Sequence, residues 1–247
     1  GETITTCKGT ENTHEMVFAN GRLYLERGGT HVTAVDAATG EVLWDKAQRA
    51  TALTLSAAAD RVVFFDGEQV VALSATDGST LWTQPLEEKS TATWQSKDPP
   101  RLILTEQAVV LGLNNKKLYT FDAGSGKLLW WAFQPRSGYV SPKDLLVIGG
   151  LVWYGDTAGA KNTGEYTARD LMTGNVMKQF EPDIDAVWLS HHRCHISKAT
   201  EQFILPGRMG VEFVDLKQQS WKPNHWVRGG CLYGAMPCNG LLYTPPH

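Results

Sequence analysis

The chain has 247 residues, with 23 basic against 26 acidic side chains, a net charge of −3 and 42% hydrophobic residues. That length can bury a large core. The charge balance offers no basic stripe for nucleic acid or for an anionic membrane surface, and no apolar run reaches the ~20 residues of a membrane-spanning helix. The sequence shows no signal peptide, which does not argue for the cytosol.

Alternating stretches begin at Gly21–Glu26, and a second, His31–Ala37, runs into a turn ending in Trp44. The segment Ala34–Trp44 reads AVDAATGEVLW. It recurs as ALSATDGSTLW at Ala72–Trp82 and TFDAGSGKLLW at Thr120–Trp130. A degraded copy, ARDLMTGNVMK, covers Ala168–Lys178, with Lys178 in the tryptophan slot. A fifth, EFVDLKQQSW at Glu212–Trp221, loses the glycine and shifts the tryptophan. The repeat glycines are Gly40, Gly78, Gly126 and Gly174, spaced 38, 48 and 48 residues apart. A period of that size marks a repeat architecture.

Within each repeat, β-branched runs of period two are split by Gly, Asp and Asn turns, which predicts antiparallel hairpins. Asp closes the turn on its own backbone, and Gly supplies the positive φ. Adding the preceding segment, such as Ala52–Ser56, gives four short strands per repeat. Four strands per roughly 40–45 residues is the pattern of a β-propeller blade. The expectation is an all-β propeller of four-stranded antiparallel blades over residues 1–247, as one domain. Trp44, Trp82 and Trp130 are expected to pack on a neighbouring turn, with the indole N–H on an acceptor. Glu87–Pro100 reads as a long loop between blades. About six blades are visible. The last, at Trp226–Tyr233 and Gly240–Thr244, is incomplete, unless Glu2–Cys7 supplies a closing strand. That favours a piece of a seven- or eight-bladed ring over an irregular six-bladed one. An open blade edge would invite self-association.

The Ala-x-Asp-x-x-x-Gly-x-x-x-Trp pattern resembles the tryptophan-docking motif of quinoprotein-like (PQQ-repeat) propellers, over roughly Val17–Trp221. That superfamily includes quinoprotein alcohol dehydrogenases and outer-membrane assembly lipoproteins of the BamB type. The resemblance implies a scaffold and leaves the activity open. Quinone binding is not expected: the vicinal cysteine pair often seen in those dehydrogenases is missing, and no cofactor is anticipated.

The densest chemistry is SHHRCHISK, Ser190–Lys198. In an extended strand His191, Arg193 and His195 share one face, and His192 and Cys194 the other. A following inner strand at Trp226–Tyr233 would bring Arg228, Cys231 and Tyr233 alongside. Three readings stay open. These side chains satisfy buried polar groups; or His192, Cys194, Cys231 and His247 hold zinc or another divalent metal; or Arg193 and Arg228 grip a carboxylate. In the last case His195 and Tyr233 could serve as acid and base for β-elimination on a uronate, an arrangement some polysaccharide lyases resemble. Cys194 and Cys231 could also pair as a disulfide, which would suit a periplasmic or extracellular protein. Trp153, Trp188 and Trp226 read as core or rim aromatics, and His14, His31 and His225 as turn or surface residues. The functional expectation is a binding or assembly module in the cell envelope, with a protein or glycan partner at the propeller mouth. A metal-dependent or lyase-like enzyme is the alternative.

Overall fold

The computed structural model describes residues 6–58, 60–93, 96, 99–113, 116–135, 143–157, 162–183, 195–208, 210–224, 226–230 and 233–245. Every regular element among them is a strand. The chain divides into two compact units, residues 1–95 with 100–131, and residues 96–99 with 132–247.

Three four-stranded sheets make up the first unit. They are β1 (Thr13–Ala19), β2 (Arg22–Arg27), β3 (His31–Asp36) and β4 (Val42–Lys46); then β5 (Ser56–Ala58), β6 (Arg61–Phe65), β7 (Gln69–Ser74) and β8 (Thr80–Pro85); then β9 (Arg101–Leu104), β10 (Ala108–Gly112), β11 (Lys117–Asp122) and β12 (Leu128–Phe133). The second unit holds β13 (Leu146–Ile148), β14 (Leu151–Gly155), β15 (Tyr166–Asp170) and β16 (Val176–Phe180), followed by β17 (Lys198–Ala199), β18 (Phe203–Leu205), β19 (Phe213–Asp215) and β20 (Ser220–Lys222). A two-stranded hairpin, β21 (Met236–Cys238) and β22 (Leu241–Tyr243), closes it. Each four-stranded sheet is an antiparallel meander with its strands in chain order, which is a propeller blade. The chain is an all-β propeller protein with five such blades and one hairpin described.

The turn chemistry explains the repeats. Asp36 accepts the backbone N–H groups of Ala38 and Thr39 at 3.0 and 2.8 Å, and Gly40 N–H closes on the Asp36 carbonyl at 2.8 Å. Asp122 and Asp170 repeat the arrangement. In the second blade Ser74 stands in that slot, and Asp77 instead caps Ser79. In the fifth, Gln219 fills the position left by the missing glycine, with its N–H on the Asp215 carbonyl and φ at +55°. After three of these turns one residue bulges, so that Ala34 pairs Trp44, Ala72 pairs Trp82 and Ala168 pairs Lys178. The fifth hairpin pairs without a bulge, Val214 with Trp221. Trp221 thereby packs on Tyr166, ring centroids 5.7 Å apart, in the core of blades four and five.

The cores lie between adjacent blades. Val32, Ala34 and Tyr24 meet Val62, Phe64 and Val71. Phe65 and Val70 meet Leu111 and Phe121. In the second unit, Trp153 and Tyr166 meet Ile204 and Val214. A strand was expected over Trp226–Tyr233, yet its described residues form none. Gly234 N–H bonds the Gly230 carbonyl at 2.9 Å, and a Cβ on Gly229 would overlap Gly234. The glycines fold this stretch on itself, and Trp226 stands 96% exposed rather than in a core.

Candidate ligand site

The tryptophan slots are structural in their geometry. Trp44 lies over the turn of the second blade: its indole N–H donates to the Ala75 carbonyl at 3.1 Å, and a Cβ on Gly78 would fall 2.9 Å from the ring. Trp82 does the same on the third blade, with Ala123 at 3.0 Å and Gly126 beneath the ring. Gly40 and Gly174 share the positive φ, and Trp130 is half-buried on β12.

Of the residues singled out for chemistry, Arg193, His192, Cys194, Cys231 and His247 lie outside the described residues. So do His191, Trp188 and His225. His195 is buried at 4% exposure between two glycines, where a Cβ on Gly207 or Gly234 would run into its ring. Its Nδ1 lies 3.2 Å from the Ile196 carbonyl oxygen. The inner strand of this blade is Lys198–Ala199, downstream of the histidines. Arg228 is half-buried, whereas Tyr233 is 78% exposed. Cys7 and Cys238 are free thiols. Among the described residues no group of three or more His, Cys, Asp or Glu is placed to hold a metal ion.

A different set of residues converges in the first unit. A cavity of about 570 Å³ is floored by Ala50, Ala52 and Ala92, with Gly28 and Gly29 on one wall. Glu26 enters it with only 2% of its surface exposed. One Glu26 oxygen accepts the Gly29 N–H at 2.5 Å, and the other lies 3.3 Å from His14 Nδ1. Arg49 also lines the cavity, and its guanidinium makes a 3.4 Å bond to the Ala92 carbonyl. Among the described residues no carboxylate lies within ion-pair distance of Arg49. The site offers small apolar walls, a guanidinium bonded to one carbonyl, and a buried carboxylate with a half-exposed imidazole beside it. Such a mixture suits recognition of a ligand with an apolar body and an anionic end.

A separate cavity of about 330 Å³ opens along β1, β5 and β9. There Glu15 accepts the Leu53 N–H at 3.0 Å. Burial, with some repulsion from Glu26, pushes the Glu15 carboxyl up to about 7. Leu53 is held at a φ of +63°, which is strained for a bulky side chain.

A family model described as outer membrane protein assembly factor BamB matches residues 5–180. The chain belongs to this BamB family. BamB from Moraxella catarrhalis superposes with a TM-score of 0.60 at 15% identity, over 84% of this chain and 59% of that one. The chain thus spans less than two thirds of that BamB. The Pan2 WD40 domain of Neurospora crassa superposes with a TM-score of 0.57 at 11% identity, over 90% and 68% of the two chains. The quinohemoprotein alcohol dehydrogenase ADHIIG of Pseudomonas putida gives 0.55 at 15%, over 87% and 42%. No curated protein matches the chain significantly. These likenesses fix the fold of this BamB-family chain.

Its second unit also contains buried charges that the repeats did not signal. Lys143, Asp144, Arg208 and Glu212 are all at most 1% exposed. Glu212 accepts the backbone N–H groups of Arg208 and Gly210 at 2.8 and 3.0 Å, and Arg208 reaches the Asn162 carbonyl at 3.3 Å. Burial lowers the Arg208 guanidinium from its ordinary value, against the pull of Glu212 and Asp156. Asp144 accepts the Tyr166 hydroxyl at 3.2 Å. These contacts tie non-repeat segments to blades four and five.

Proposed function

We propose that this BamB-family chain is a binding and assembly module of the cell envelope, working without a bound quinone, and that its first unit captures a protein segment. The observation that carries this is an alanine-lined cavity shared by the Arg49 guanidinium, the buried Glu26 carboxylate and its half-exposed partner His14. Arg49 provides paired donors for a carboxylate. Ala50, Ala52 and Ala92 leave room for an apolar side chain. Glu26 and His14 offer an acceptor and a ring nitrogen to a peptide backbone. Capture of a chain terminus or an acidic side chain beside an apolar residue uses all three. The family's namesake is described as an assembly factor, which supports a scaffold role and an envelope location.

The test is calorimetry with hexapeptides that end in an apolar residue, either as free carboxylates or as amides. Free-acid peptides should bind, and both amidation and Arg49→Ala should weaken binding by roughly tenfold or more. Equal binding of acid and amide, or unchanged binding by Arg49→Ala, would overturn the reading.

A further inference from the structure

Trp131 departs from its own repeat. The residue after the slot held by Trp44, Trp82 and Lys178 is Asp45, Thr83 and Gln179. These are polar, as a solvent-facing strand position should be. In the third blade that residue is Trp131, and 61% of its surface is exposed. Three sibling blades fold without an aromatic there, so the fold does not call for one.

A second departure lies beside it. Leu86–Pro100 joins β8 to β9, whereas Ala47–Leu55 suffices between β4 and β5. The longer connection brings Glu88 onto the face of β11. Glu88 accepts from the Lys117 ammonium and, at 2.6 Å, from the Tyr119 hydroxyl. Lys117 Nζ lies 5.8 Å from the centroid of the Trp131 ring. Together with Leu86 and Leu128 these side chains line a groove of about 420 Å³, within the range of small-ligand sites.

The electrostatics narrow the occupant. The Lys117 and Glu88 charges are spent on each other. An incoming cation would have to displace Lys117 from both Glu88 and the indole, and an incoming anion would meet Glu87 and Glu88. Burial, and then Glu88, pushes the Tyr119 phenol up to about 12, so it stays a donor. What remains is the exposed part of the indole beside a fixed set of donors and acceptors. A pyranose ring presents the matching surfaces, a C–H face and a rim of hydroxyls. We propose that this groove binds a neutral oligosaccharide, with one hexopyranose ring stacked on Trp131 and its hydroxyls bonded to Glu88 and Lys117. This site is distinct from the cavity at Arg49 and does not depend on it.

The chain is titrated with cellohexaose, mannohexaose and maltohexaose, followed by tryptophan fluorescence and calorimetry. At least one should bind saturably. Trp131→Ala should lose roughly tenfold or more in affinity with an unchanged melting temperature, and Trp131→Phe should recover most of it. Glu88→Gln and Lys117→Met should each weaken binding through the hydroxyl contacts. No saturable binding by any of the three sugars would overturn the proposal, as would equal affinity in Trp131→Ala. Binding of a proline-rich or trimethyllysine peptide that is lost in Trp131→Ala, with no sugar bound, would assign the groove to protein instead and overturn it as well.

Discussion

Lys178 Nζ donates to the Leu216 carbonyl at 2.7 Å, at the same turn position where Ala75 accepts from Trp44 and Ala123 from Trp82. In the first two blades that carbonyl also receives a guanidinium from the start of the second strand, Arg22 onto Ala75 and Arg61 onto Ala123. The fourth blade has Leu151 at the start of that strand, and its cation comes from the tryptophan slot instead. One ammonium thus replaces an indole and a guanidinium. It also stands 5.8 Å over the Trp153 ring, so its stem covers part of the surface an indole would have filled. Removing the donor should leave the Leu216 carbonyl unpaired while keeping the stem. Lys178→Met is therefore expected to cost about 1.5–3 kcal/mol, the range for charge-assisted bonds, as read from urea unfolding of the second unit.

The turn glycines support the rings above them. Gly126 has a φ of +73°, and a Cβ there would lie 2.5 Å from the Trp82 indole. Gly126→Ala must strain the backbone and lift the ring from the turn, which puts the 3.0 Å bond to Ala123 at risk. A loss of about 2–4 kcal/mol is expected, from the left-handed cost together with overpacking. Gly21 has a similar φ of +74° but nothing within 4 Å of its Cβ position. Gly21→Ala should cost only the backbone part, about 1–2 kcal/mol. Comparing the two melting curves separates conformation from contact.

Stability should respond to pH with opposite signs in two windows. Glu15 is raised from 4.5 to about 7, so between those values the folded chain holds the proton more tightly than the unfolded chain. Stability therefore falls as pH rises from about 4.5 to about 7, by roughly 1–3 kcal/mol, and is flat above. Glu15→Gln should remove that slope while keeping an acceptor for the Leu53 N–H. The turn carboxylates Asp36, Asp77, Asp122 and Asp170 are held below their usual range, chiefly by hydrogen bonds from their own turns. Their contribution is present above about 4 and is lost as pH falls through their depressed values. Melting temperature against pH, with and without Glu15→Gln, distinguishes the two.

The blades were legible because their signal is local: an Asp, a Gly at positive φ and a Trp lie within eleven residues, and their spacing alone encodes hairpin and contact. The cavity at Arg49 was not legible. His14 and Glu26 come from the first blade, and Arg49 and Ala92 from the connections before and after the second, and each looks ordinary in sequence; His14 reads as a turn residue until Glu26 is seen behind it. The buried Lys143, Asp144, Arg208 and Glu212 share that limit, being drawn from non-repeat segments. Trp131 carried a signal that aligning the repeats against one another does expose, since its counterparts are all polar. His195 drew attention through its neighbours in sequence, while its surroundings are two glycines that only the fold assembles.

Gln219 shows how a repeat can hide behind one substitution. Its N–H closes on the Asp215 carbonyl at 2.8 Å and its φ is +55°, so it performs the glycine's turn with a side chain that resists it. A non-glycine residue in that region costs about 1–2 kcal/mol. Introducing glycine returns roughly 0.5–1 kcal/mol of that to the unfolded chain as entropy. The difference favours glycine, because Gln219 sits in an exposed turn whose geometry is already glycine-like. Gln219→Gly is expected to stabilise the second unit by about 0.5–1 kcal/mol, seen as a raised urea midpoint with an unchanged slope. A lowered midpoint would mean that the Gln219 side chain makes contacts worth more than its backbone strain.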